Sequence, residues 1–229
     1  MKLTRFMTTF AIIGSILASL LIAAARTSFA AGKPATSVSA ATALRRLLDG
    51  NSRFAAGAME HPRQTPARRD EIAQGQHPLA AVLACSDSRT PPEAIFDQGL
   101  GDLFVVRVAG NVADNVVIES LDYAVTNLHT RLLVVMGHRR CGAVQAAVEG
   151  HSESGEDVGP MLRELCPAVE AAMSMPGDLV ENAVRENVAL IVKKLANEGP
   201  LAPMVKSGDL KIVGAIYDLE TGKVTMLDQ

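Results

Sequence analysis

The chain alternates between segments in which apolar residues recur every three to four positions and short runs that are apolar throughout. The first pattern is typical of helices packed on one face, and the second of strands buried on both faces. Together with prolines at helix starts, these patterns predict helices over 41–54, 66–73, 115–128, 141–148, 161–173 and 179–195, and a short helix that begins at 91–93. They predict strands over 79–84, 102–108, 131–136, 211–219 and 223–227, the last two joined in a hairpin across Thr221-Gly222.

Strands that alternate with helices in this way predict an α/β fold with a mostly parallel central sheet flanked by helices. The pattern contains no internal repeat and no sign of a second domain. We therefore expect one domain over residues 41–229.

The amino terminus has a different composition from the rest of the chain. Lys2 and Arg5 precede an apolar run over residues 6–25, and Ser28-Phe29-Ala30 offers small residues at the two positions that a signal peptidase reads. This predicts a signal peptide over 1–30, a linker over 31–40 and a periplasmic location. The alternative is an uncleaved inner-membrane anchor facing the periplasm, because this mainly apolar run of twenty residues is long enough to span a bilayer.

Composition narrows the function classes further. Hydrophobic residues make up 48% and charged residues 21%, the balance of an ordinary globular protein. Aromatic residues are only 3%, Trp is absent, the net charge is −3 and no basic stripe is visible. We therefore expect no nucleic-acid partner, and membrane contact only through the signal segment if it is uncleaved.

Unusual polar residues follow two of the predicted strands. The first strand runs into Cys85-Ser86-Asp87-Ser88-Arg89, and the third runs into Gly137-His138-Arg139-Arg140-Cys141-Gly142. Ligands of open α/β sheets gather at the carboxyl ends of strands, and thiolate and imidazole are ligands that zinc prefers. The spacing of His138 and Cys141 predicts that one helical turn brings both side chains to the same side.

Each cysteine also has a simpler interpretation. Cys166 is interpreted as a small buried hydrophobe. Cys85 and Cys141 could instead form a structural disulfide in an oxidising compartment, but this leaves Asp87, Arg89 and His138 without a role. Thiol redox chemistry is less favoured, because the chain contains no Cys-x-x-Cys.

These motifs resemble those of the β-class carbonic anhydrases. The resemblance rests on three segments and extends from about Leu44 to Leu219. They are Cys85-Ser86-Asp87-Ser88-Arg89, Gly99 to Arg107 with the following Ala109-Gly110-Asn111, and His138-x-x-Cys141-Gly142.

The resemblance implies one zinc ion per chain, held by Cys85, His138 and Cys141. It implies reversible hydration of carbon dioxide to bicarbonate and a proton by zinc-bound hydroxide. It also implies an antiparallel strand at the end of the sheet, and homodimers or larger homo-oligomers. Asp87 is then either the acceptor of a hydrogen bond from the hydroxide or a fourth zinc ligand in a closed state, and Arg89 holds it by a bidentate ion pair.

The resemblance also suggests residues that contact substrate. Gln76, nine residues before Cys85, matches a substrate-contacting Gln of the plant-like members. Phe104, Ala109 and Tyr123 are candidates for an apolar pocket, part of which is expected to come from a second subunit, and Gly142 is a further candidate for substrate contact. Members with an allosteric bicarbonate site have a Trp where this chain has Val82, so that regulation is not expected here.

Two alternative functions share the same motifs. One is a related zinc hydrolase of carbonyl sulfide or carbon disulfide, whose substrates resemble carbon dioxide in shape. The other is a non-catalytic zinc-binding protein, which the presence of both Asp87 and Arg89 disfavours.

Overall fold

The computed structural model describes residues 38–152 and 159–227, with the side chains of 151 and 152 excepted. Five strands within these ranges form one sheet in the order β2-β1-β3-β4-β5, in which β1 to β4 are parallel and β5 is antiparallel to β4. The strands are β1 (Ala80–Ala84), β2 (Leu103–Arg107), β3 (Leu132–His138), β4 (Lys211–Tyr217) and β5 (Val224–Met226). The predicted fold class and the terminal hairpin are confirmed.

Helices cover both faces of this sheet, and four of them begin at a side chain that accepts a hydrogen bond from the first turn: Ser39, Thr65, Asp114 and Asp178. In chain order the described α-helices are α1 (Ala40–Ala55), α2 (Pro66–Ile72), α3 (Pro92–Ile95), α4 (Asn115–Thr126), α5 (Gly142–Ser152), α6 (Pro160–Ala172), α7 (Leu179–Asn197) and α8 (Ala202–Lys206). The pattern did not predict α8 or the 3₁₀ turn Ala109–Asn111. The predicted signal peptide lies outside the described residues. None of the helices inside the described ranges has both the length and the apolar character that crossing a membrane requires.

Alternating residues of the central strands build two cores. Leu83 and Val135 face the side covered by α4, α6 and α7, whereas Val82 and Val134 face the side covered by α1 and α3. Every residue of β1 and β3 is buried, as expected for strands packed on both faces. β2 lies at the edge of the sheet, and each of its five residues is half-buried.

The parallel arrangement brings functional residues together at one edge of the sheet. Ala84 pairs in register with Arg107 on one side and with Met136 on the other, so Cys85, Arg107 and His138 all lie at the carboxyl ends of neighbouring strands. β3 also runs two residues past the predicted strand, which places His138 at its last position.

Candidate metal centre

Three potential metal ligands converge at the carboxyl edge of the sheet. Cys85 follows β1, His138 ends β3 and Cys141 precedes α5. Their ligand atoms all lie within 4.8 Å of one another, and each residue is at most 4% exposed. The two sulfur atoms are 4.0 Å apart and both cysteines are free, so the alternative of a Cys85–Cys141 disulfide is wrong for this structure.

The chain brings His138 and Cys141 together through a turn and not through the helical turn that their spacing predicted. Arg140 has a positive φ of 52°, which reverses the chain before α5 begins at Gly142. The turn is fixed from outside: the Arg139 N–H donates to the Tyr217 carbonyl oxygen at 2.9 Å, and the Arg140 N–H donates to Glu181 Oε1 at 3.0 Å. The predicted proximity therefore holds, but its stated cause was wrong.

The His138 ring presents one nitrogen to the site. Nδ1 lies 2.9 Å from the Arg139 carbonyl oxygen, which can only accept, so we assign the ring proton to Nδ1. Nε2 is then a bare lone pair. It is fully buried and has no hydrogen-bond partner among the described residues. A buried acceptor without a partner is costly, and a metal ion shared with the two neighbouring sulfurs would satisfy it.

The two thiols differ in their surroundings. A hydrogen bond with Cys141, together with the N–H groups of Asp87 and Gly110, lowers the pKa of Cys85 despite its burial. The neighbouring Cys85 and burial raise the pKa of Cys141, although the N–H groups of Val144 and Ala143 at the start of α5 favour its thiolate. Two thiolates so close together repel each other, so a cation between them is needed for both to ionise.

This donor set fits zinc. Two sulfurs and one imidazole nitrogen with a fixed tautomer match the ligands of catalytic zinc sites with three protein ligands. The 4.0 Å between the sulfurs is close to about 3.8 Å, the edge of a tetrahedron with zinc–sulfur bonds of about 2.3 Å.

Asp87 and Arg89 form a bidentate ion pair beside this group. Arg89 Nε donates to Asp87 Oδ1 at 2.9 Å and Nη2 donates to Oδ2 at 2.6 Å, while the Arg89 main-chain N–H also donates to Oδ1 at 3.0 Å. Oδ2 lies 3.8 Å from His138 Nε2. These hydrogen bonds with Arg89 hold the pKa of Asp87 well below its usual range. The carboxylate is thus charged, adjacent to the ligand atoms and held by Arg89.

The structure brings only some of the predicted substrate residues to this centre. Ala109 precedes Gly110, whose N–H donates to Cys85 Sγ at 3.3 Å, and Gly142 directly follows Cys141. Gln76 is exposed and precedes the amino end of β1, at the opposite edge of the sheet.

Phe104 and Tyr123 also lie away from the ligand group. Their rings contact each other, with centroids 6.2 Å apart. Phe104 pairs in register with Ala81, which is about 13 Å along the strand from Cys85. Within one chain, Gln76, Phe104 and Tyr123 therefore do not line the centre.

Two residues near the centre had no role in the sequence-based interpretation. Arg107 donates to the main-chain oxygens of Cys85 and Asp87, and the buried Thr90 hydroxyl contacts the same two oxygens. The signal for Arg107 was present, because it is a charged residue at the end of the apolar strand Leu103–Arg107.

Comparison with known proteins agrees with this fold and site. The family model described as carbonic anhydrase matches residues 80–224. Carbonic anhydrase 2 of Mycobacterium tuberculosis is 39% identical over 193 residues, covering 81% of this chain and 92% of that protein. The carbonic anhydrase of Mycolicibacterium smegmatis is 41% identical over 192 residues, covering 80% and 91%. The solved beta-carbonic anhydrase CcaA superposes with a TM-score of 0.64 at 29% identity, covering 81% and 95%.

The fold is an α/β sheet that carries at its carboxyl edge a buried Cys-His-Cys group able to hold a metal ion. The chain belongs to the carbonic anhydrase family, in its β class, and is a carbonic anhydrase.

Proposed function

We propose that the chain hydrates carbon dioxide reversibly to bicarbonate and a proton at one zinc ion held by Cys85, His138 and Cys141. The observation that carries this assignment is the buried, unpartnered His138 Nε2, which lies with the two sulfurs inside a 4.8 Å cluster. When bound, zinc supplies Lewis-acid chemistry: it lowers the pKa of a water molecule so that this water can attack carbon dioxide near neutral pH.

Asp87 orients the attacking water in this proposal. Its Oδ2 faces the ligand atoms and accepts a hydrogen bond from the water, which directs a lone pair of the water oxygen toward the substrate. Arg89 keeps the carboxylate from becoming a fourth ligand, because both carboxylate oxygens are engaged by its guanidinium. Release of this pair would allow Asp87 to take that fourth position in a closed state.

The substrate pocket, in this proposal, is completed by a second copy of the chain. Ala109 and Gly142 belong to the copy that holds the zinc, and Gln76, Phe104 and Tyr123 come from its partner. Two observations support a homo-oligomer: β2 is an edge strand whose apolar residues are half-exposed, and Tyr123, next to Phe104, is 47% exposed. Size-exclusion chromatography with light scattering tests it, and an active monomer would contradict it.

We further propose that residues 1–30 are a cleaved signal peptide and that the domain 41–229 acts in the periplasm. The support is the charged start, the apolar run and the small residues at positions 28 and 30. Amino-terminal sequencing of protein from a periplasmic fraction should begin near Ala31. An intact Met1 in the membrane fraction would indicate the anchor instead.

The zinc assignment is tested with three cysteine variants. Cys85→Ala and Cys141→Ala should lose most of the zinc and the carbon dioxide hydration measured by stopped flow. Cys166→Ala is the matched control, because Cys166 lies on α6 and its thiol hydrogen-bonds the Leu162 carbonyl oxygen of the same helix. Full zinc in either of the first two variants would overturn the ligand set.

A further inference from the structure

The loop that carries Cys85 and Asp87, residues 85–90, is tied to the sheet by an arginine from the neighbouring strand. Arg107 ends β2 and is half-buried. Its Nε donates to the Cys85 carbonyl oxygen at 3.0 Å, and its Nη2 donates to the Asp87 carbonyl oxygen at 2.6 Å. One rigid guanidinium thus fixes the main chain at the first metal ligand and at the carboxylate residue together.

Thr90 reaches the same two oxygens. Its hydroxyl lies 3.3 Å from the Cys85 oxygen and 3.0 Å from the Asp87 oxygen, and its main-chain N–H donates to the Asp87 oxygen at 3.0 Å. Thr90 is only 1% exposed. Donors from two different positions in the sequence therefore converge on two carbonyl groups, one on each side of Ser86.

The Asp87–Arg89 pair by itself gives only a weak link between the carboxylate and the ligand atoms beyond β3. The two residues are two positions apart on the same loop, and Arg89 reaches the turn after β3 through a long hydrogen bond, from Nη2 to the Arg140 carbonyl oxygen at 3.4 Å. His138 and Cys141 belong to a different strand end, beyond β3. The 3.8 Å between Asp87 Oδ2 and His138 Nε2 therefore depends on how the loop is fixed to the sheet.

We propose that Arg107, assisted by Thr90, is a positioning residue that holds the Asp87–Arg89 pair in register with the metal ligands. This inference rests on the proposed function of that pair. Loss of the Arg107 hydrogen bonds frees the loop, so that Asp87 no longer orients the attacking water and reaches the metal instead. A displacement of a catalytic group by about 1 Å can cost about 100-fold in rate.

The test uses four variants of the full chain. Arg107→Met removes the hydrogen-bond donors and keeps most of the side-chain length. Arg107→Lys keeps the charge, but its single ammonium group cannot reproduce the two hydrogen bonds of the planar guanidinium. Thr90→Val removes the hydroxyl and Thr90→Ser keeps it. The matched control is Arg131→Met, because Arg131 also donates to a main-chain oxygen, that of Asp209 at 3.2 Å, but at the opposite edge of the sheet.

Three quantities are measured for each variant: zinc content, kcat and KM for carbon dioxide, and the visible spectrum of the cobalt-substituted protein, which reports on the metal's coordination. Arg107→Met should keep about one zinc per chain, lose about 10- to 100-fold in kcat with KM within twofold of the original, and show an altered cobalt spectrum. The kcat and the cobalt spectrum of Arg107→Lys should lie between those of Arg107→Met and those of the unmodified protein. Arg131→Met and Thr90→Ser should match the unmodified protein in all three.

The proposal is overturned if Arg107→Met lowers only the melting temperature while kcat and the cobalt spectrum stay unchanged, because Arg107 is then merely structural. If Arg107→Met does not fold, the Thr90 pair decides: a changed spectrum and kcat in Thr90→Val but not in Thr90→Ser support the proposal, and an unchanged Thr90→Val overturns it. A failure of the proposed function would appear elsewhere, as missing zinc or missing activity in the unmodified protein.

Discussion

The described part of the chain contains two bidentate aspartate–arginine pairs with similar contact distances and different surroundings. Arg89 holds Asp87 with contacts of 2.9 and 2.6 Å, and Arg63 holds Asp102 with contacts of 2.8 and 2.5 Å. Asp102 is buried and otherwise accepts from the Gly99 N–H, whereas Asp87 also lies 3.8 Å from His138 Nε2 in the candidate metal centre. Contact distances therefore do not distinguish the proposed catalytic pair from the other one, and the atoms around each carboxylate do.

The number of residues between the two partners also distinguishes one pair from the other. Arg63 and Asp102 are 39 residues apart, so their pair ties the segment before α2 to the start of β2. Arg89 and Asp87 are two residues apart, and their pair is linked to a distant segment only weakly, through the 3.4 Å hydrogen bond from Arg89 Nη2 to the Arg140 carbonyl oxygen. We expect the first pair to support the free energy of unfolding and the second to support the rate.

Arg89→Ala gives the largest expected effect on rate. Without the guanidinium, Asp87 is free to approach the metal, and kcat/KM for carbon dioxide hydration should fall about 100-fold. Zinc content and the melting temperature should change little, because Arg89 is half exposed. Normal activity in this variant would show that the pair is only a surface contact.

Arg63→Met should give the opposite result. The Arg63 side chain is 37% exposed, so solvent screens its charge, but its removal leaves the buried Asp102 carboxylate without its main donor. The free energy of unfolding in urea should therefore drop by roughly 2–3 kcal/mol. The kcat and the zinc content per folded chain should not change. A large loss of kcat at full zinc occupancy would contradict the division between the two pairs.

Asp97→Asn tests how the stability of the fold depends on pH at a buried carboxylate away from the candidate metal centre. Asp97 is buried, which alone raises its pKa, but the N–H groups of Glu60 and His61 and the Arg53 guanidinium together lower the pKa below its ordinary value. A lowered pKa in the folded state stabilises the fold above the unfolded pKa of about 3.9, and this is lost as pH falls. The variant should be less stable by about 2 kcal/mol at pH 7, and the difference should shrink below about pH 4. A difference that grows in acid would contradict this sign.

Arg139→Met should have the smallest effect. Arg139 pairs with Glu181 at 3.0 Å and with Asp218 at 3.2 Å, but all three side chains are partly exposed. Exposed pairs contribute about 0–1 kcal/mol, and the Arg139 main-chain N–H that fixes the turn is retained. Chemical denaturation measures the difference, and a loss well above 1 kcal/mol would show that burial is a poor guide for ranking these pairs.

Much of the fold follows from local pattern, because helices and buried strands carry distinct apolar spacing. The pattern failed where a tertiary contact decides the outcome. The predicted third strand ended at Met136, yet the strand continues through Gly137 to His138. A Cβ on Gly137 would lie 2.8 Å from Val188 Cγ2, so α7 packs where only glycine leaves room.

The candidate site was likewise predictable only in part. Residue types at strand ends indicated that Cys85, His138 and Cys141 could converge, and the family resemblance assigned the three together as zinc ligands. The left-handed turn at Arg140 was not predictable from spacing, because external hydrogen bonds fix it. The charge at the end of β2 marked Arg107 as unusual, but its role was missed. Its hydrogen-bond partners are main-chain oxygens on another segment, and residue types do not identify such partners.

X-ray absorption at the zinc edge of the purified protein identifies the metal ligands directly. We expect two sulfur neighbours at about 2.3 Å and two light neighbours at about 2.0–2.1 Å, one of which shows the outer scattering of an imidazole ring. The same spectrum of Cys141→Ala, if any zinc remains, should lose a sulfur. A shell of light atoms only, or four sulfurs, would contradict a centre formed by Cys85, His138 and Cys141.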